Sequence, residues 1–78
     1  MINVKNKALV VAVGERIRGL RLARGYSQEE LSHEADLMLS QIGRIERGET
    51  NPTKSTLHVL AEAIYVELKE IVDVKVNQ

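Results

Sequence analysis

Between Ser27 and Pro52 the apolar residues fall at Leu31, Ala35, Leu37, Ile42 and Ile45. The 3.6-residue rhythm holds, shifts phase near Asp36, and resumes, which predicts two short helices joined by a tight turn. Ser27-Gln-Glu-Glu30 opens the first: the Ser27 hydroxyl can accept from the Glu30 amide while the Glu30 carboxylate reaches back, a capping box. Tyr26 and Leu31 occupy the positions of a hydrophobic staple over that cap. Ser32 is small where the second helix must cross closely. Asp36 holds the corner, where a left-handed backbone is expected and Asp tolerates it better than most residues with a Cβ. The second helix runs from about Leu39 to Arg47 and stops at Gly48.

Upstream, Val10, Val13, Ile17 and Leu20 form a stripe at helical spacing, with Asn6 as the expected cap and Gly25 as the stop after Arg24. Val10, Val11 and Val13 are also β-prone, so an extended start before Gly14 stays open. Arg16, Arg18 and Arg24 are expected on the solvated face. Downstream, Gly48-Glu-Thr-Asn-Pro52 is a Gly/Pro/Asn cluster and reads as a loop. Thr53 can cap a fourth helix with a core face of Leu57, Leu60, Ala61 and Ile64, and Leu68, Ile71 and Val72 make a short fifth. Asp73 to Gln78 alternates polar and apolar, as either a frayed tail or a strand that pairs across a dimer. The fold expected is all-α, a compact five-helix domain over 13–72, with 1–12 as an extension or the start of the first helix and 73–78 as a tail. No internal repeat or second domain is visible.

With 78 residues and no cysteine, the chain has room for one domain and no disulfide or thiolate metal site. The apolar run near the N-terminus breaks at Gly14-Glu15-Arg16, too early for a signal core or a membrane span, so a cytoplasmic protein is expected. Formal net charge is zero, on its face unlike a nucleic-acid binder. The charges are uneven, however: residues 1–60 hold nine Lys/Arg against seven Asp/Glu, and 61–78 hold two against four. A dipolar domain can present a locally basic face. His33 and His58 are isolated, Glu29 and Glu30 serve a helix start, and no nucleophile stands beside a base. No metal, cofactor or enzymatic activity is expected.

Arg21, Ser27-Gln28, Ile42, Ile45-Glu46-Arg47-Gly48 and Asn51-Pro52 form an ordered set that resembles the helix-turn-helix of the lambda-repressor-like (XRE) family over residues 13 to 72. The resemblance implies that Arg21 pairs with Glu46 as a strut between the first and third helices, with Ser27 mainly a cap. It also implies that Gln28 touches a phosphate or an outer base. Two positions depart from the family pattern. Met38 stands where Ser or Thr usually caps the third helix, a loss of about 1 kcal/mol that packing of Met38 under the turn is expected to offset in part. Tyr65 stands where Gly or Asn usually leaves the fourth helix, so either a strained left-handed residue or a different exit is expected.

On this reading the helix 39–47 enters the DNA major groove, with Ile42 and Ile45 inward and Leu39, Ser40, Gly43, Arg44 and Arg47 outward, Gln41 at the side. Arg44 is the best base reader, since a guanidinium can bond guanine O6 and N7 together. Ser40 can bond a base edge or a phosphate, Leu39 can press on a thymine methyl, and Lys54 is expected on the phosphate backbone. A single module buries little surface on DNA, so a homodimer on a palindromic operator is expected, through Val66, Leu68 and Ile71 or through the N-terminal apolar run. The function expected is a sequence-specific transcriptional regulator, a repressor or controller. The alternative is an antitoxin-like interaction module whose DNA binding is autoregulatory.

Overall fold

The computed structural model describes residues 4–76. Within them lie α1 (Val4–Arg24), α2 (Gln28–Ala35), α3 (Leu39–Glu46), α4 (Lys54–Ala63) and α5 (Leu68–Val72), with no strand. Every helix sends at least one fully buried aliphatic side chain into a common core: Ile17 from α1, Leu31 from α2, Ile42 and Ile45 from α3, Leu60 from α4 and Ile71 from α5. Each is worth about 1.5–3 kcal/mol relative to exposure.

Helix α1 is already formed at Val4, so Asn6 lies inside it and does not cap it. The β-prone valines are helical too, because Val10 and Val13 are buried on the inner face and tertiary packing overrides a weak local preference. At 21 residues α1 is about 31 Å long and sets the 33 Å long dimension of the domain.

Four helices end in the same way. Tyr26, Leu37, Glu49 and Val66 donate their N–H to the carbonyls of Arg21, Ser32, Arg44 and Ala61, five residues back in each case. Gly25, Asp36, Gly48 and Tyr65 supply the positive φ that this reversal needs, 82°, 55°, 72° and 61°. This is the Schellman geometry, usually built on glycine. Asp36 makes the α2–α3 corner as its sequence position indicates. Tyr65 takes the strained option of the two, and its ring lies under the Arg24 guanidinium at 4.0 Å, a cation–π contact that holds the end of α1 to the exit of α4.

Helix α1 crosses the end of α3 at very short range. A Cβ on Gly14 would run into the carbonyl oxygens of Ile45 and Glu46, and one on Gly48 would meet Val11. Gly14 is therefore a packing requirement where the sequence showed only an interrupted apolar run. On its other side α1 reaches α5, where Arg16 Nε donates to the Glu70 carbonyl at 2.8 Å. Arg16, Arg18 and Arg24 are all exposed as expected, and Arg16 and Arg24 each make one contact besides.

Two further expectations need correction. Ile71 is fully buried in its own core and offers nothing to a dimer partner, and Val66 beside it packs on the same cluster. Within the single chain Val74 rests on the core, so this part of the tail is anchored and not frayed; residues 77 and 78 lie outside those described. Among the described residues, no helix is long and apolar enough to cross a membrane.

Candidate nucleic-acid interface

Helix α3 is short, but its two sides differ sharply. Ile42, Ile45 and Glu46 face inward and are buried; Leu39, Ser40 and Arg44 face solvent. Leu39 is 45% exposed although large and apolar. Gln41 is half-buried at the side. The helix starts without a side-chain cap: Met38 is extended, accepts no bond through its side chain, and is 70% exposed. Packing of Met38 under the turn is thus ruled out, since its side chain stands in solvent next to Leu39.

The orientation of α3 is set by a nearly dry ion pair at its far end. Arg21 Nε donates to Glu46 Oε2 at 2.6 Å and Arg21 NH2 to Oε1 at 2.9 Å, with the side chains 7% and 2% exposed. Arg21 NH1 donates to the Tyr26 carbonyl at 2.8 Å. Gln28 Nε2 adds a bond to Glu46 Oε1 at 3.0 Å. The carboxylate so joins α1, the first residue of α2 and the end of α3, and the guanidinium adds the α1–α2 turn. Among the described residues no buried side-chain polar atom lacks a partner. The Arg21–Glu46 strut stands as the resemblance implied. Gln28 sits half-buried, with one amide hydrogen committed to that strut.

The beginning of α2 is as read from the sequence. Ser27 Oγ accepts from Glu30 N at 3.0 Å and Glu30 Oε1 accepts from Ser27 N at 2.9 Å. The backbone N–H of Ser27, and then its hydroxyl, hold the Glu30 carboxyl below its usual range.

Two predicted interface residues are arranged differently. Gly43 is buried, not open, because the Arg47 side chain folds back over it. Arg47 itself is exposed but paired, its Nε donating to Glu49 Oε2 at 2.6 Å. Glu49 is the residue that sequence reasoning missed; its only signal is an acidic side chain three positions after the last residue of the helix, across a glycine turn. Lys54 is exposed at the start of α4, in a cleft with Ser55, His58, Val59 and Leu68. Leu39, Ser40 and Arg44 are brought together on one edge of α3, Arg47 closes that edge, and Lys54 lines a separate cleft at the start of α4.

Five helices, the second and third short and meeting at a left-handed corner and the third held by a buried Arg–Glu pair, define a helix-turn-helix protein. The HTH_3 family profile, described as helix-turn-helix, matches residues 17–71, and the chain belongs to that family of DNA-binding transcriptional regulators. It is 37% identical over 62 residues to the immunity repressor protein of Bacillus phage phi105, a match covering 80% of this chain and 43% of that protein. The chain thus spans less than half the length of this relative. It is 34% identical over 61 residues to the control protein C.BamHI of Bacillus amyloliquefaciens, covering 77% and 75% of the two chains. The crystal structure of the restriction-modification controller protein C.AhdI from Aeromonas hydrophila superposes with a TM-score of 0.78 at 39% identity, over 80% of this chain and 94% of that one.

Proposed function

We propose that this chain is a non-enzymatic, cytoplasmic repressor or controller of transcription that lays α3 in the major groove and binds a palindromic operator as a homodimer. The observation that carries the reading is the solvent-facing edge of α3, with Leu39, Ser40 and Arg44 free of the interior. The major groove admits one α-helix and displays a distinct pattern for each base pair, and the first residues of a recognition helix reach the base edges. Arg44 takes a guanine through two parallel hydrogen bonds, Leu39 presses on a thymine methyl, and Ser40 and Gln41 bond base edges or phosphates. Gln28, with its second amide hydrogen still to give, bonds a phosphate beside the start of α2, where free backbone amides favour an anion. Lys54 and Arg47 hold the backbone on the two sides of the groove. A single module of this size buries about 600–1,000 Å² on DNA, little for specific binding, which is the argument for a dimer. The half-exposed Leu9 and Val72 beside Pro52 and Leu57 form an apolar surface that a partner copy can cover.

Selection of duplexes from a random pool tests this directly, and the winners should be palindromes. Arg44→Ala should weaken binding and relax preference at one base pair by about 1–3 kcal/mol. Lys54→Ala should weaken binding to all sequences alike and reduce the salt slope by about one. If both variants bind the selected site as the parent does at two salt concentrations, α3 is not the reading helix. Sedimentation equilibrium checks the dimer.

A further inference from the structure

Arg47 closes the outer edge of α3, and its hydrogen-bonding fork is already occupied. Nε donates to Glu49 Oε2 at 2.6 Å and NH2 to Oε1 at 3.3 Å. This is the edge of a guanidinium that fits a carboxylate or a phosphate equally well. Ion pairs between exposed side chains are ordinarily weak, because two flexible chains must be held in one geometry. Two local features reduce that cost here. The left-handed turn at Gly48 carries the chain back so that Glu49 N–H bonds the Arg44 carbonyl at 2.9 Å, which fixes the Glu49 backbone against the end of α3. At Gly43 there is no side chain, and Arg47 NH1 lies 2.8 Å from where a Cβ would stand, so the guanidinium is seated along the helix. Lys7 and Val11 complete a surface cleft of about 510 Å³ around Arg47, Gly48 and Glu49, in which one carboxylate lies among two cations.

We propose that Glu49 is an internal competitor that sets DNA affinity: in the free protein it occupies the phosphate-binding edge of Arg47, and a DNA phosphate must displace it. The inference rests on the DNA-binding reading above. Arg47 ends a helix edge about 12 Å long, eight residues from Leu39, and so stands nearer the sugar–phosphate wall than the bases that the first residues reach. Its attraction for phosphate is independent of sequence. An internal carboxylate lowers that attraction on every duplex while leaving the base contacts of Arg44 untouched, so specific and non-specific binding weaken alike and the ratio between them is kept. In a chain of zero formal net charge, one masked cation is a large share of the charge that this face can offer.

The test measures binding to a random-sequence duplex and to the selected operator across a salt series, for the parent, Glu49→Gln, Arg47→Ala and the double variant. Glu49→Gln should bind both duplexes several-fold more tightly and steepen their salt dependence by about one. In the Arg47→Ala background the same change should do neither. An equal gain in both backgrounds would mean a general effect of one lost negative charge and would overturn the proposal. So would no gain, or weaker binding with a relaxed base preference, since Glu49 would then be positioning Arg47. Failure of the parent to bind either duplex would instead remove the DNA-binding reading, and this proposal with it. Both side chains are about half-exposed, and urea unfolding of each variant verifies that it is folded.

Discussion

Glu46 is the residue with the most at stake. Both its oxygens accept hydrogen bonds, three in all, from Arg21 and Gln28, and almost none of it meets water. Burying two charges is unfavourable, and only close geometry with every donor and acceptor engaged offsets it. Glu46→Ala would leave the Arg21 guanidinium buried without its counter-charge, and should destabilise the domain by about 3 kcal/mol. Replacing both partners, Arg21→Met with Glu46→Leu, removes the stranded charge as well. The double variant should therefore lose less than Glu46→Ala alone, though not recover fully, because the Tyr26 carbonyl and the Gln28 amide each lose a bond. Urea unfolding of the two variants and the parent checks the order. Were the double variant the less stable, the pair would be contributing specific packing beyond its charges. Arg44 presents the opposite case: it is exposed, so Arg44→Ala should leave the unfolding midpoint nearly unchanged while altering DNA preference.

At the scale of elements, the ends of the helices carry most of the sequence-specific chemistry. Helix α2 has a complete capping box and α4 has the Thr53 cap, whose Oγ1 accepts from Thr56 N at 3.1 Å, whereas α3 begins on Met38 with no side-chain acceptor. Met38 is exposed, so Met38→Ser removes no packing and should add about 1 kcal/mol by satisfying a free amide. Thermal or urea unfolding measures the gain. The capping box also gives a pH signature. Because the Ser27 hydrogen bonds lower the Glu30 pKa, the folded carboxyl binds its proton less readily than the unfolded one. The contribution is then present above the ordinary carboxylate range and is lost as pH falls through the lowered value. Glu30→Gln keeps an oxygen that accepts from Ser27 N but cannot titrate. Its stability should fall less steeply than that of the parent between neutral and acid pH. These ends were legible in the sequence because a cap is local: Ser27, Glu30, Asp36, Gly48 and Thr53 act on backbone within five residues. Contacts between distant segments left no such trace. Arg16 meets a carbonyl 54 positions away and Arg24 meets Tyr65, and either arginine reads in isolation as part of a solvated helix face. Gly43 was misjudged for a related reason: its position on α3 is outward, but the length of Arg47 lets a neighbour cover it.

The whole molecule depends on how closely α1 crosses the end of α3, because that crossing and the Arg21–Glu46 pair together fix the tilt of the helix proposed to read DNA. Two glycines on α1 separate this requirement from ordinary helix propensity. At Gly14 an added methyl group would strike backbone carbonyls of α3, which cannot rotate away as a side chain would. At Gly19, five residues further along the same helix, a Cβ meets nothing within 4 Å. Gly19→Ala should therefore stabilise the protein by about 0.5–1 kcal/mol, the conformational entropy of a helical glycine, and leave DNA binding as it is. Gly14→Ala gains the same propensity but forces the two helices apart. Overpacking of a tight site costs about 1–3 kcal/mol, occasionally more, and rigid backbone on the far side puts this position at the upper end. Separation of the helices also strains the Arg21–Glu46 pair, so the folded fraction of Gly14→Ala should bind operator more weakly at unchanged salt slope, the cations proposed to contact phosphate being intact. Urea unfolding and operator titration of the two variants together provide the check. If Gly14→Ala were as stable as Gly19→Ala, α1 would not cross α3 at the distance described, and the strut would need a different explanation.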